Sequence, residues 1–113
     1  MHELSIALGI VKIAEDETAK AKADKVDLIE LEIGTLAGIE FDSLDFVWIS
    51  AVKDTVLEKA VKKTIVIKAK AKCIDCNTIF DIKYVYDSCP KCNSFLKVII
   101  KGKELRVKAL EVS

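Results

Sequence analysis

All four cysteines of this chain stand in two pairs, Cys73-Ile-Asp-Cys76 and Cys89-Pro-Lys-Cys92, with twelve residues between them. Each CxxC turn offers two thiolates on one tight loop. Two such loops facing one another complete the tetrahedral S4 shell that Zn²⁺ prefers. The spacer is ample for a hairpin between the loops. Pro90 stiffens the second turn. Asn77 and Asn93 each follow a CxxC, where a left-handed backbone is often needed and Asn tolerates it better than most residues. Other chemistries use the same sulfurs. Two structural disulfides require an oxidising compartment, whereas the chain shows no signal peptide and we expect a reducing cytoplasm. A thioredoxin-type pair occurs once and opens a helix after a strand. An iron–S4 electron carrier has the same shell. Structural zinc is the favoured reading, because four Cys ligands leave no coordination position for a catalytic water.

The single histidine is His2. A histidine so near a chain end is ordinarily a frayed, solvated side chain. The chemistry also allows a metal site. A free Met1 amine, the His2 amide nitrogen and its imidazole Nδ1 close adjacent five- and six-membered chelate rings, and the Glu3 amide supplies a further nitrogen. Nitrogens in a plane suit Ni²⁺ or Cu²⁺, whereas zinc prefers a tetrahedron. If a helix begins near Glu3, its first amides have no intrahelical carbonyl partner, so deprotonating one breaks no helical bond. The helix dipole opposes a bare cation there, and amide deprotonation with the Glu3 carboxylate offsets it. A metal displaces protons from an amine and an imidazole, so metal capture should release protons and weaken in mild acid. On the residues alone, both readings of His2 stay open.

The elements that must position these groups follow from periodicity. Of the 113 residues, 51% are hydrophobic, enough for one domain with a core, and no apolar run reaches membrane-span length. Eighteen basic and eighteen acidic residues cancel, which argues against a nucleic-acid binder. One histidine and no cysteine free to act as a nucleophile argue against a hydrolase. A helix is predicted from Leu4 to about Ala23, with Leu4, Leu8 and Val11 as its stripe and Ala7, Ile10 and Ala14 beside them. Gly9 costs that helix about 1 kcal/mol against Ala and would be explained by close packing. A strand over Val26–Ile33 buries Ile29, Leu31 and Ile33, with Val26 and Leu28 out of phase through a bulge or a second covered face. Asp42 or Ser43 caps a second helix running to near Asp54, which buries Leu44, Val47, Trp48, Ala51 and Val52. One strand over Thr64–Lys72 turns Ile65, Ile67, Ala69 and Ala71 one way and Lys68, Lys70 and Lys72 to solvent. A short hairpin strand lies around Ile79–Tyr84, and Phe95–Ile100 with Leu105–Val112 closes as a β-hairpin. The expected class is α+β: two helices on a small mixed sheet, with a zinc-ribbon or knuckle module inserted between strands. Residues 71–94 would form that module, and residues 1–70 plus 95–113 the base.

Met1-His2-Glu3-Leu4-Ser5, Leu31-Glu32-Ile33-Gly34-x-Leu36-x-Gly38, the paired CxxC motifs and the closing Gly102-Lys103-Glu104-Leu105 occur together in this order. In this the whole chain resembles the HypA/HybF family of hydrogenase-maturation nickel metallochaperones. The resemblance implies a non-enzymatic carrier whose nickel site is His2 with the Met1 amine and neighbouring backbone nitrogens, Glu3 matching the family's acidic residue. It implies structural zinc at Cys73, Cys76, Cys89 and Cys92. It further implies delivery of nickel to the large subunit of [NiFe]-hydrogenase, in partnership with the maturation GTPase HypB. The glycine often found after each CxxC in such knuckles is Asn here. A rival reading is a zinc-ribbon nucleic-acid or protein-adaptor module, which would draw on Lys72, Lys83 and Lys91 with Phe80 and Tyr84. No membrane or nucleic-acid partner is expected, and the short glycine-bearing connectors permit a monomer or a weak, swapped homodimer.

Overall fold

Ala7, Ile10, Val11, Ala14 and Thr18 recur at three- and four-residue spacing and form the buried stripe of helix α1 (Glu3–Lys20). Leu4 and Leu8, expected on that stripe, are half exposed. They lie on a neighbouring face, and the small alanines take the inward positions instead. A Cβ on Gly9 would meet nothing within 4 Å, so close packing does not explain that glycine. Thr18 is buried yet satisfied, its hydroxyl donating to the Ala14 carbonyl at 2.6 Å. In the computed structural model, which describes residues 2–113, the remaining elements are β1 (Val26–Gly34), α2 (Phe41–Val52), β2 (Val61–Ile67), β3 (Lys70–Cys73), β4 (Ile79–Asp81), β5 (Lys97–Lys101) and β6 (Leu105–Val112). The class is α+β, as expected: two helices, a mixed three-stranded sheet ordered β2-β1-β6, and a small antiparallel sheet ordered β4-β3-β5. Two compact units result, one of Met1–Leu31, Ile39–Thr64 and Arg106–Ser113, the other of Glu32–Gly38 and Ile65–Leu105. Among the described residues no helix is long and apolar enough to cross a membrane.

Within the first unit, α2 buries Leu44, Trp48, Ala51 and Val52, with Val47 only partly covered. Its N-cap is Glu40, not Asp42 or Ser43: the Glu40 carboxylate accepts the Asp42 N–H at 3.3 Å. The helix therefore starts two or three residues earlier than the short polar side chains suggested. Lys62 of β2 pairs with Asp45 and lies 5.3 Å from the centre of the Trp48 ring.

In the second unit β3 runs antiparallel to both neighbours, with Ala71 opposite Phe80 and Ile99 and Lys72 opposite Ile79 and Val98. Ala69, Ala71, Cys73, Phe80, Ile82 and Cys89 form its core, and Leu36, Cys76 and Ile99 pack against them. The single strand expected over Thr64–Lys72 is in fact two strands in two sheets. Thr35 causes the break: its N–H donates to the Ile67 carbonyl at 3.0 Å, and its hydroxyl accepts the Ala69 N–H at 3.2 Å. The expected closing hairpin is also absent, since β5 pairs with β3 and β6 belongs to the other sheet. Gly102, at φ +118°, turns the chain between them; its N–H donates to the Glu104 carboxylate at 2.7 Å, while the Gly102 and Glu104 carbonyls accept from the Leu36 and Gly34 N–H groups.

Candidate metal centre

Cys73 ends β3, and the chain then makes a turn that the second pair repeats. The Asn77 N–H donates to the Cys73 carbonyl at 2.9 Å and the Cys73 N–H to the Thr78 carbonyl at 2.9 Å. In the second turn the Asn93 N–H donates to the Cys89 carbonyl and the Cys89 N–H to the Ser94 carbonyl, each at 2.8 Å. Asn77 and Asn93 take φ of 60° and 62°, the left-handed conformation expected of them. A further tie joins the two turns, because the Ser94 hydroxyl donates to the Asp75 carboxylate and accepts the Leu96 N–H.

These turns bring the four ligand sulfurs within 4.8 Å of one another. Cys73 and Cys92 Sγ are 3.5 Å apart, and Cys76 and Cys89 Sγ 3.6 Å. A tetrahedron with metal–sulfur bonds of about 2.3 Å has edges of about 3.8 Å, so the set fits a tetrahedral dication. A disulfide needs about 2.05 Å between sulfurs, and all four cysteines are free, which removes the disulfide reading. Cys73 and Cys89 are fully buried while Cys92 is exposed.

Crowding four thiols together splits their acidities. The Thr78 hydroxyl, 3.1 Å from Cys76 Sγ, is the main reason that thiol is lowered to about 6. At Cys92 the Ser94 backbone N–H pulls the other way, but the sulfurs of Cys73, Cys76 and Cys89 together with desolvation outweigh it and push the thiol up to about 12. Negative charge gathered on one sulfur thus discourages it on the next. A bound dication supplies the charge that lets all four ionise.

At the other candidate site, His2 is the N-cap of α1, exposed and with no side-chain cap bond. Its carbonyl accepts the first helical bond, from the Ile6 N–H at 3.2 Å. The amides of Glu3, Leu4 and Ser5 therefore precede the helical ladder, as a chelate there requires. Met1, whose amine is the other expected nitrogen donor, lies outside the described residues. The Glu3 carboxylate accepts the Glu40 N–H at 3.2 Å, tying the start of α1 to the start of α2. That bond is the main reason its acidity is strengthened below the ordinary carboxylate value.

The structure also shows partners that sequence reasoning missed. Thr78 follows a CxxC by two residues, a position from which a hydroxyl can reach the second sulfur, and that spacing was a usable signal. Nothing local marks Glu40, which meets Glu3 only through the fold. Asp87 accepts the Lys83 and Tyr84 N–H groups at 2.8 and 3.0 Å, holding the loop between the cysteine pairs. Of the aromatics that a nucleic-acid surface would use, Phe80 is buried in the core. Tyr84 stacks on Tyr86 with centroids 5.1 Å apart.

A family model described as hydrogenase/urease nickel incorporation, metallochaperone, hypA matches residues 1–112. The chain is 45% identical over 112 residues to the hydrogenase maturation factor HypA of Parabacteroides distasonis, covering 99% of this chain and 97% of that one. It is 39% identical over 112 residues to the protein of the same name from Azotobacter chroococcum, covering 99% of each. Among solved structures, the solution structure of the Ni metallochaperone HypA from Helicobacter pylori shares the fold with a TM-score of 0.70 at 24% identity, covering 99% of this chain and 97% of that chain.

Proposed function

The chain belongs to the HypA family of nickel-incorporation metallochaperones, and from that membership we propose how its metals are divided between two sites. It is a non-catalytic nickel metallochaperone of hydrogenase maturation that carries a four-cysteine metal site. In our reading Cys73, Cys76, Cys89 and Cys92 hold zinc. The ion would join the two turns covalently through sulfur and keep the β4-β3-β5 sheet folded. Four thiolates leave no vacant position, so the zinc has no turnover role. By function, residues 71–94 are the zinc module and residues 1–70 with 95–113 the nickel-bearing base.

Nickel is the cargo. His2, with the Met1 amine and the Glu3 backbone nitrogen, would take it at the exposed start of α1. One observation supports this most directly: the His2 side chain caps nothing, so its imidazole is uncommitted at the one place where unpaired amides adjoin it. An exposed site at a chain end suits exchange. Handover would proceed by substitution, imidazole or amine leaving first as a thiolate of the acceptor enters. The partners in this reading are the maturation GTPase HypB and the large subunit of [NiFe]-hydrogenase, met in the cytoplasm by a monomer or a weak, swapped homodimer. Calorimetry on untagged protein tests the assignment. His2→Ala should abolish tight nickel binding while zinc content and fold are retained, and unchanged nickel affinity in that variant would refute it.

A further inference from the structure

The β4-β3-β5 sheet has two unlike faces. Ala71, Phe80 and Ile99 turn into the core. On the other face, Lys72 of β3 lies directly opposite Ile79 on one side and Val98 on the other. Ile100 follows the core-facing Ile99 at the register shift between Ala71 and Lys70 and is itself exposed, and Ile74 joins Lys72 and Val98 around an open hollow of about 230 Å³. These four aliphatic side chains are between 51% and 59% exposed. Single exposed aliphatics are ordinary, but four gathered on one sheet face mark an interaction surface.

The charges say what would cover it. Lys70, in the adjoining row, is neutralised by Asp81 at 2.7 Å. Among the described residues Lys72 has no such partner. The unit made of residues 32–38 and 65–105 carries eight lysines against five acidic residues, so it stays positive by a single charge after four thiolates around a dication subtract two. A second copy meeting this face with its own would set Lys72 against Lys72 in an apolar contact, an uncompensated burial of like charge. Nucleic acid would want stacking aromatics, and the face has none.

We propose that this face, centred on Lys72 and walled by Ile74, Ile79, Val98 and Ile100, docks a partner protein through a segment that presents one carboxylate among aliphatic side chains. The carboxylate pairs with Lys72, and the aliphatic side chains cover the four exposed ones. This rests on the maturation role given above, because the partners to be probed are the maturation GTPase and the precursor of the hydrogenase large subunit.

The test uses full-length, zinc-loaded protein titrated against each of those two proteins. Lys72→Glu and Val98→Asp should weaken binding to at least one of them by about tenfold or more, with zinc content unchanged. Lys72→Arg should bind like the parent. Lys63→Glu makes the same charge change at an exposed position of the other unit and should also leave binding unchanged. The proposal is overturned if the parent binds neither protein, if Lys72→Glu binds as tightly as the parent, if Lys63→Glu costs as much, or if sedimentation shows Lys72-dependent self-association. Nickel titration of the same samples separates the two ideas. Lys72→Glu should keep full nickel capture, so loss of docking leaves the His2 assignment standing, and a failed His2 assignment leaves the docking result standing.

Discussion

Gly34, the glycine of Leu-Glu-Ile-Gly, is buried where residues 34–36 run against residues 102–104. A Cβ added there would lie 2.0 Å from the Gly102 carbonyl oxygen, 2.1 Å from its carbon and 2.7 Å from the Lys103 nitrogen. All three are backbone atoms, so no side chain can swing aside. Ordinary non-bonded contact begins near about 3.5 Å, and the two segments must separate by more than about 1 Å in Gly34→Ala. Two hydrogen bonds span this approach, Gly34 N–H to the Glu104 carbonyl and Leu36 N–H to the Gly102 carbonyl, both at 2.7 Å. Separation carries both past useful range. Groups left buried without partners cost about 1–3 kcal/mol each, while alanine regains about 0.5–1 kcal/mol of the glycine's backbone entropy. The net loss is about 1–5 kcal/mol, a fall in melting temperature of roughly 4–20 °C for a domain of this size. Guanidinium unfolding followed by circular dichroism, at fixed free zinc because a ligand shifts apparent stability, measures it. Gly9→Ala is the matched control. Its Cβ meets open space on α1, so the same change should stabilise by about 0.5–1 kcal/mol. Equal effects from the two substitutions, or a Gly34→Ala protein within about 0.5 kcal/mol of the parent, would refute the reasoning.

Two further outcomes are expected. The Glu3–Glu40 tie lowers the Glu3 carboxyl below its ordinary value, so its contribution is complete above the unfolded value of about 4.3 and disappears as pH falls through the lower, folded one. The stability difference between parent and Glu3→Gln, followed from pH 6 downward by chemical unfolding, should therefore be level at first and shrink only below about 4.3; a difference that grew in acid would contradict the tie. At Asn77, held at φ 60° beside Cys76, Asn77→Gly should retain zinc against a chelator as well as the parent. Asn77→Ala should lose it several-fold faster, the left-handed backbone costing an alanine about 1 kcal/mol, and equal release rates would show that the turn is not what holds the metal.

What the residues made legible was local. Two CxxC turns and the asparagines after them specify their own geometry, because the bonds that close each turn lie within six residues of sequence. The class was readable too, from the stripe of α2 and the alternation of β1. Distant pairings were not. Thr64–Lys72 alternates as one strand should, and only the approach of Thr35, more than thirty residues earlier, divides it. Phe95–Ile100 and Leu105–Val112 look like a hairpin because their own pattern does not reveal that Gly34 draws residues 102–104 away. In α1 the leucines seemed the natural inward residues, yet the helix turned its alanines in, since depth of packing and not hydrophobicity alone selects the buried face. Glu40 illustrates the same limit at a helix end: a glutamate became the cap because another glutamate was waiting for its N–H.

The placement of Trp48 has an optical consequence. It is the only tryptophan, and both tyrosines, Tyr84 and Tyr86, stand in the loop between the cysteine pairs. Light absorbed at the red edge is taken up by the indole alone, so emission excited there follows the helical unit, with the ammonium of Lys62 poised over the ring as a local influence on its colour. Phenol absorbance follows the sulfur-bound unit. The protein thus carries its own pair of dyes, and a single cuvette can report whether withdrawing a metal melts one unit or both.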